Sequence, residues 1–253
     1  MSQGMIIGVL GGMGPEATID LFTKIVRSTP AARDQDHLRL IIDNNPGVPD
    51  RQKAILENGP SPAPMLIETA KNLAAAGADF IVIPCNTAHY WIEEVRRAVT
   101  IPVIDMIEET ARETARTSPS LRTVGIMAAT GTVRAGLYQK QFRKMLIKTI
   151  LPTDDDQASI MRAIYSVKAG DLSASHADAV QIGGRMVQAG AEAIVAGCTE
   201  MPLILKTGDL PVPIIDATQI LATRAIEIAT NKVPIGSNVE FRTNHHPGVQ
   251  QIA

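Results

Sequence analysis

ADFIVIPCNT (residues 78–87) and AEAIVAGCTE (residues 191–200) are two loose copies of one pattern, and this pair decides the fold. Two further pairs occur in the same order and at nearly the same spacing: IGVLGGMG (7–14) with VGIMAATG (124–131), and IPVID (101–105) with VPIID (212–216). Three ordered blocks at one spacing indicate an internal duplication. A chance match of apolar strands would not also place a cysteine at the same point of both copies.

The duplicated blocks belong to a longer alternation of short apolar runs and segments with helical spacing. The apolar runs that we predict as strands are 5–10, 38–43, 80–84, 101–105, 123–127, 147–152, 192–197 and 212–216. Strands that alternate with helices are typical of parallel sheets. The sequence therefore predicts an α/β fold with two similar lobes, each a four-stranded parallel sheet flanked by helices, related by a pseudo-twofold axis.

The same pattern predicts the domain boundaries. The first lobe comprises residues 1–107 and the second comprises residues 108–216. The segment at about 217–230 has helical spacing and no strand after it, so we expect it to pack back on the first lobe. Residues 231–253 are polar and aperiodic, and we interpret them as a tail.

Composition narrows the class of function. The chain has 253 residues, of which 45% are hydrophobic, with a net charge of −2 and 3% aromatic residues. No basic surface or stacking platform for nucleic acid is indicated, and no apolar run is long enough to span a membrane. We predict a cytoplasmic protein that acts on a small molecule. Its two cysteines are too few for a disulfide framework.

Cys85 and Cys198 each follow a buried strand and precede a turn rich in Asn or Thr. Ligands bind at the carboxyl ends of strands in such sheets, so both thiols should face a cleft. A helix N-terminus after each cysteine would lower the thiol pKa from about 8.5. Two thiols on opposite sides of one pocket suit stereoinversion at an acidic carbon, with the sulfurs about 7 Å apart.

Polar groups surround these cysteines in both copies. Backbone N–H groups and hydroxyls there form two potential cradles for the α-carboxylate and α-amino groups of a zwitterion: Asn86, Thr87, Thr130, Gly131, Thr132 and Thr199. Each such residue alone is also a typical helix N-cap. The turn after the first strand satisfies G-x-G-x-x-A through Gly12, Gly14 and Ala17, so a dinucleotide site is a weak alternative.

The remaining candidate functional residues are two cationic side chains and one set of residues of the types that bind metals. Arg51 follows the second strand, where its guanidinium could bind a carboxylate, and Lys168 lies one helical turn after Ile164. The alternatives are a solvated loop charge for Arg51 and a C-terminal helix lysine for Lys168. The potential metal ligands Cys85, His89, Cys198 and Glu200 have poor zinc spacing, so we predict neither a metal nor another cofactor.

The chain resembles the aspartate/glutamate racemase family, and within it the aspartate racemase branch, from residue 5 to about residue 230. The resemblance is carried by GGMGPEAT, NNPGVPDR, PCNTAH and GCTE, in that order. It implies a cofactor-independent amino-acid racemase of two Rossmann-like lobes with the active site between them, and commonly a homodimer. It also implies that the catalytic thiol pair is Cys85 and Cys198.

The resemblance assigns further roles residue by residue. Arg51 and Lys168 would hold the distal carboxylate of the substrate. Glu200 stands where glutamate racemases have a His after the second Cys-Thr, and our own interpretation is that it helps to deprotonate Cys198. Contacts to the amino-acid core would fall on Met13, Asn86, Thr87, Thr130, Gly131, Thr132 and Thr199. The predicted substrate is aspartate, with glutamate left open.

Three alternatives remain at this point. The first is another activity on a related acid, of the hydantoin racemase, maleate isomerase or decarboxylase type. The second is an NAD(P)-dependent oxidoreductase, and the third is a binding module without turnover.

Overall fold

The computed structural model describes residues 4–171 and 176–231. The first lobe contains a parallel sheet with the strand order β2-β1-β3. Its strands are β1 (Ile7–Gly11), β2 (Leu40–Asn44) and β3 (Phe80–Val82). Its helices are α1 (Pro15–Ser28), α2 (Arg51–Leu56), α3 (Ala63–Ala75) and α4 (Ile92–Ala98), with 3₁₀ turns at Asp34–Asp36 and Thr87–Trp91.

The prediction of a fourth strand at 101–105 is wrong. The segment makes a single parallel bridge, between Ile81 and Val103, and does not form a strand. The pairing consists of two hydrogen bonds, from the Ile81 N–H to the Pro102 carbonyl at 2.8 Å and from the Ile104 N–H to the Ile81 carbonyl at 2.9 Å. The physical reason is the short partner strand: β3 ends at Val82, one residue after Ile81, so it offers no further pairing. The first sheet therefore has three strands.

The second lobe has the predicted four parallel strands, in the order β5-β4-β6-β7. These strands are β4 (Thr123–Met127), β5 (Lys148–Ile150), β6 (Ala193–Ala196) and β7 (Ile214–Asp216). The remaining helices are α5 (Met106–Thr117), α6 (Thr130–Arg134), α7 (Leu137–Lys144), α8 (Asp154–Lys168), α9 (His176–Gln188), α10 (Met201–Ile204) and α11 (Ala217–Ala229). The order β2-β1-β3 in the first lobe matches β5-β4-β6 in the second, as expected for a duplication.

Alternation along the strands divides each lobe into two apolar layers, because successive side chains point to opposite faces of a sheet. In β3, Phe80 and Val82 pack with α1 and α11, whereas Ile81 packs with α3 and α4. In the second lobe, one face of the sheet packs with α5 and α7, and the other packs with α8, α9 and α10.

Helix α11 packs on the first lobe although it comes last in the described sequence. Its Leu221 and Ala225 share one core cluster with Ile7 and Phe80 of the first sheet. The division at residues 107/108 stays a prediction, and the predicted tail lies outside the described residues apart from Asn231. No helix within the two described ranges has the length and apolarity that crossing a membrane requires.

Candidate active site

One cavity is lined by both cysteines and by residues of both lobes. It measures about 80 Å³. Since about 10–15 Å³ of such space holds one water molecule, the cavity suits a small solute. Its lining residues are Met13, Asp50, Arg51, Gln52, Cys85, Asn86, Thr87, Ala129, Met161, Ile164, Tyr165, Lys168, Cys198, Thr199 and Glu200.

The two thiols reach this cavity from the carboxyl ends of equivalent strands. Cys85 follows β3, and Cys198 follows β6, each after a short extended segment. Both are free thiols, with 5% and 7% of their surface exposed. The structure thus brings to one cavity the two residues that the sequence singled out first.

Glu200 connects Cys198 to Lys168. Its side chain is almost fully buried, and the carboxylate accepts a hydrogen bond from the Cys198 thiol over an Sγ–Oε2 distance of 2.9 Å. The other carboxylate oxygen lies 2.7 Å from the Lys168 Nζ. The Thr199 hydroxyl donates a further bond to Oε2 at 3.3 Å. One buried carboxylate therefore binds a cation, a thiol and a hydroxyl.

This environment holds Cys198 as a neutral thiol. Burial raises the pKa of Cys198 well above its usual value, the negative charge of Glu200 raises it further, and Lys168 opposes them only in part. The expectation of a lowered thiol pKa from a following helix is wrong for this residue. Helix α10 is only four residues long, so its partial charge is outweighed by desolvation.

Lys168 remains charged at the cavity. Burial works to lower its pKa, but the negative charge and the hydrogen bond of Glu200 act against burial, and the pKa of Lys168 is raised. The ammonium also lies close to the glycine turn of the first lobe, 3.7 Å from where a Cβ on Gly14 would stand. The predicted C-terminal lysine of α8 thus spans the space between the lobes.

Arg51 is anchored to the first lobe by carbonyl groups. Its Nη1 donates to the carbonyls of Val48 and Pro49, and its Nη2 donates to that of Met13, at 3.1 to 3.3 Å. Within residues 4–171 and 176–231, no acceptor is bonded to its Nε–H, and no carboxylate pairs with it. The Nε and Nη2 edge of the guanidinium keeps two N–H groups that can bind a carboxylate bidentately.

Asn86 lines the cavity and has one unpaired donor. Its Oδ1 accepts a hydrogen bond from the Tyr138 hydroxyl at 2.5 Å, across the contact between the lobes. Its Nδ2 is buried and has no partner among the described residues. A buried unpaired amide costs free energy, so a bound polar group is the expected partner for Nδ2.

The second-lobe turn lies behind the cavity wall. Thr130, Gly131 and Thr132 do not line the cavity as they were predicted to do, although the adjacent Ala129 does. The Gly131 N–H donates to Gln52 Oε1 at 2.6 Å, and the Thr132 hydroxyl lies 2.9 Å from that of Thr87. Thr130 is bonded to Gln157 and Met161 of α8 in its own lobe, so contacts within the protein occupy polar groups that the sequence assigned to a ligand.

The need for glycine in the first-lobe turn is explained by contacts within the protein. Gly12 has φ +93°, and a Cβ there would stand 2.3 Å from the carbonyl carbon of Asn45. Its N–H donates to the Thr18 hydroxyl at 2.9 Å. The dinucleotide-like spacing is therefore accounted for by the close approach of two backbone segments.

Sequence reasoning missed several residues of the cavity wall. Gln52 and Asp50 lie beside Arg51, and adjacency to a candidate cation was the one available signal. Met161, Ile164 and Tyr165 face the cavity from α8, where they fit an ordinary apolar helix stripe. Among the described residues, no three of the His, Cys, Asp and Glu side chains are grouped to hold a metal ion.

Comparison with known proteins agrees with the fold and the motifs. Residues 10–225 match the family described as Asp/Glu/Hydantoin racemase, and the chain belongs to this family. The protein is therefore an isomerase of the racemase type, which confirms the predicted enzyme class.

Three relatives illustrate the similarity. The aspartate racemase of Picrophilus torridus has a TM-score of 0.81 and 33% identity, covering 89% of this chain and 94% of that one. An aspartate racemase homologue of Pyrococcus horikoshii OT3 has a TM-score of 0.71 and 28% identity, covering 88% and 98%. The broad specificity amino-acid racemase RacX of Bacillus subtilis (strain 168) is 27% identical over 226 residues, covering 87% and 96%.

Proposed function

We propose that the protein is a cofactor-independent amino-acid racemase that interconverts L- and D-aspartate, with glutamate as a second substrate. Cys85 and Cys198 are the two bases. The observation that carries the proposal is that one small cavity is lined by both thiols. Racemisation needs a base and an acid on opposite faces of the same carbon, and a pair of thiols in one cavity can supply both.

Racemisation at Cα requires two proton transfers, one on each face of the carbon. In one direction the Cys85 thiolate removes the α-proton and becomes a thiol, while the electron pair remains on Cα. The Cys198 thiol then donates its proton to the other face of Cα and becomes a thiolate. In the reverse direction the two cysteines exchange roles, so no redox step and no added group is needed.

The electrostatics of Cys198 fit the donor role in that first direction. Its raised pKa keeps the proton on sulfur until a carbanion is close enough to take it. Glu200 accepts the hydrogen bond of this thiol, so it can take up the thiol proton when Cys198 must act as the base. Glu200 is thus proposed as the auxiliary base for the reverse direction.

The α-proton of an amino acid is very weakly acidic, so the site must stabilise a carbanion-like state. Each tenfold in rate requires about 1.4 kcal/mol of differential stabilisation. Asn86 lines the cavity, and its Nδ2–H₂ has no partner among the described residues, so it is the proposed donor whose bond strengthens as charge builds on the α-carboxylate. Thr87 and Thr199 line the same wall, and their hydroxyls are already bonded, to Thr132 and Glu200 respectively.

The preference for a dicarboxylic substrate rests on the two cations. Arg51 keeps a two-donor edge, and Lys168 has three donors, of which Glu200 takes one. The similarity to aspartate racemase of Picrophilus torridus supports the same substrate class. One methylene changes binding by only about 1–3 kcal/mol, which is why glutamate is included.

The test is racemisation of both enantiomers of aspartate, without added cofactor, by the wild type and by Cys85→Ser and Cys198→Ser. Each substitution should lower kcat at least about 100-fold, the range of a lost acid or base. In heavy water, product from either enantiomer should carry deuterium at Cα. The double variant should be no slower than the single variants, because the two thiols act as one unit.

Two results would overturn the proposal. One is near wild-type racemisation by either serine variant, provided that circular dichroism shows an unchanged fold. The other is retention of protium at Cα. A substrate panel with glutamate, a neutral amino acid, a hydantoin and maleate checks the substrate class separately, since faster turnover of a hydantoin or maleate would replace aspartate as the substrate.

A further inference from the structure

His89 is the last residue of the PCNTAH segment, and the proposed racemisation assigns it no role. It lies in the 3₁₀ turn Thr87–Trp91, four residues after Cys85, and only 4% of it is exposed. It does not line the cavity. A buried polar side chain next to a reacting thiol needs a physical explanation.

Both ring nitrogens of His89 have backbone partners. Nε2 accepts a hydrogen bond from the Met106 N–H at 3.0 Å, and Nδ1 lies 2.9 Å from the Cys85 carbonyl oxygen. A backbone N–H can only donate, so Nε2 must carry the lone pair. Nδ1 then carries the hydrogen and donates to Cys85. These two bonds require the neutral imidazole in a single tautomer and a single ring orientation.

The contacts fix the peptide that carries the Cys85 thiol. The Cys85 N–H donates to the Ile83 carbonyl at 2.8 Å, so both backbone polar groups of Cys85 are bound. At the other side of the imidazole, Met106 is the first residue of α5, whose next two N–H groups are capped by Asp105. The imidazole therefore ties the Cys85 turn to the start of the helix that leads into the second lobe.

We propose that His89 is a positioning residue for Cys85: its neutral ring fixes the Cys85 turn against α5, so that the thiol is held at the depth from which it reaches the substrate carbon. This inference rests on the proposed role of Cys85 in catalysis. His89 itself makes no contact with the reacting atoms.

Two variants of His89 each remove one of the two hydrogen bonds that the imidazole makes. His89→Asn keeps a donor at the place of Nδ1 and loses the acceptor for Met106. His89→Gln can accept from Met106 and loses the donor to Cys85. Both should lower the thermal unfolding midpoint, so stability alone does not distinguish them.

The distinguishing readout is alkylation of each cysteine by iodoacetamide, followed by peptide mass spectrometry, with Cys198 as the internal control. In His89→Gln, alkylation of Cys85 relative to Cys198 should become at least tenfold faster, because the turn is released and the thiol reaches solvent. Its kcat should fall at least tenfold with KM within threefold. In His89→Asn, the alkylation ratio should also rise and kcat should also fall, because the tie to α5 is lost, but both changes should be smaller than in His89→Gln, because the Cys85 carbonyl keeps its donor.

Parallel changes of both thiols, or a wild-type alkylation ratio in His89→Gln, would overturn the inference. If the variants do not fold, nitrogen-15 NMR of the wild-type imidazole decides: the ring should be the neutral Nδ1–H tautomer, and its shifts should respond to alkylation of Cys85 in Cys198→Ser but not to alkylation of Cys198 in Cys85→Ser. The Nε2–H tautomer, or a failure to respond to Cys85, would overturn it. Because alkylation needs no turnover, these outcomes stay separate from a failure of the proposed racemase activity.

Discussion

At the scale of single residues, the site depends on the shared carboxylate of Glu200. A buried carboxylate is costly unless its oxygens are bonded and its charge is paired. Here Lys168 supplies the charge, while Cys198 and Thr199 supply hydrogen bonds. The same carboxylate raises the pKa of the thiol beside it. The position of Glu200 thus links the stability of the site to the protonation of one reacting group.

Glu200→Gln should lower the pKa of Cys198 and slow racemisation. The substitution removes the negative charge that disfavours the thiolate, and Lys168, which favours the thiolate, loses its carboxylate partner. The pH profile of Cys198 alkylation, measured in a Cys85→Ser background, should therefore shift to lower pH. In the otherwise wild-type enzyme, kcat should fall about 100-fold or more because the auxiliary base is lost.

The control for this prediction is Glu94→Gln, which alters an exposed carboxylate on α4 away from the cavity. It should leave both the alkylation profile and kcat unchanged. An unchanged Cys198 profile in Glu200→Gln, or a shift to higher pH, would contradict the electrostatic role given to Glu200.

At the scale of elements, α2 and α6 join the two lobes beside the cavity. Gln52 on α2 accepts the Gly131 N–H of α6 and donates to the Thr87 hydroxyl at 3.3 Å. Thr87 in turn bonds with Thr132 of α6. These bonds connect the edge of the cavity that carries Arg51 to the turn that follows β4, so they link the two lobes beside the cavity.

Gln52→Ala should loosen this junction without unfolding either lobe. Loss of a hydrogen bond of about 1 kcal/mol should raise KM for aspartate about fivefold and speed hydrogen exchange at the Gly131 amide by a similar factor. Lys53→Ala, on the exposed side of the same helix, is the matched control and should change neither quantity. Exchange at Gly131 that is unaffected by Gln52→Ala would argue against the junction.

At the scale of the whole molecule, the last described helix, α11, packs on the lobe formed by the first part of the sequence. Helix α11 packs against α1 and α5, and its Leu221 is fully buried on the first sheet. Helix α5 in turn packs on the second sheet through Ile107 and Ala111. The pair α5 and α11 is therefore a second connection between the lobes, on top of the contacts at the cavity.

Leu221→Ala should destabilise the first lobe in particular. A buried Leu-to-Ala change costs roughly 2–5 kcal/mol, measured here by urea unfolding. Hydrogen exchange in β1 and β3 should speed up more than exchange in β4 and β6. Ile194→Ala, in the second-lobe core, should give the reverse pattern. Equal acceleration of both sheets by Leu221→Ala would contradict the assignment of α11 to the first lobe.

The homodimer stays a prediction, which light scattering of the purified chain can test.

The sequence by itself determined the parallel two-lobe fold and singled out the two cysteines, since apolar periodicity and a repeated block can be recognised in the sequence alone. The sequence predicted one strand too many in the first sheet, because the segment that makes a single bridge at Val103 is as apolar as a strand. It also assigned Thr130, Gly131 and Thr132 to the ligand, because sequence equivalence between the lobes does not reveal that their polar groups are bonded within the protein.

Only the tertiary structure decided the chemistry around the thiols. The sequence placed Glu200 two residues after Cys198, but the charge state of that thiol depends on burial and on the distance from Lys168, thirty positions before Cys198 in the chain. The free donor of Asn86 likewise depends on Tyr138 of the other lobe. Electrostatic and hydrogen-bond energies vary with separation in space, and residues far apart in sequence acquire that separation only when the chain folds.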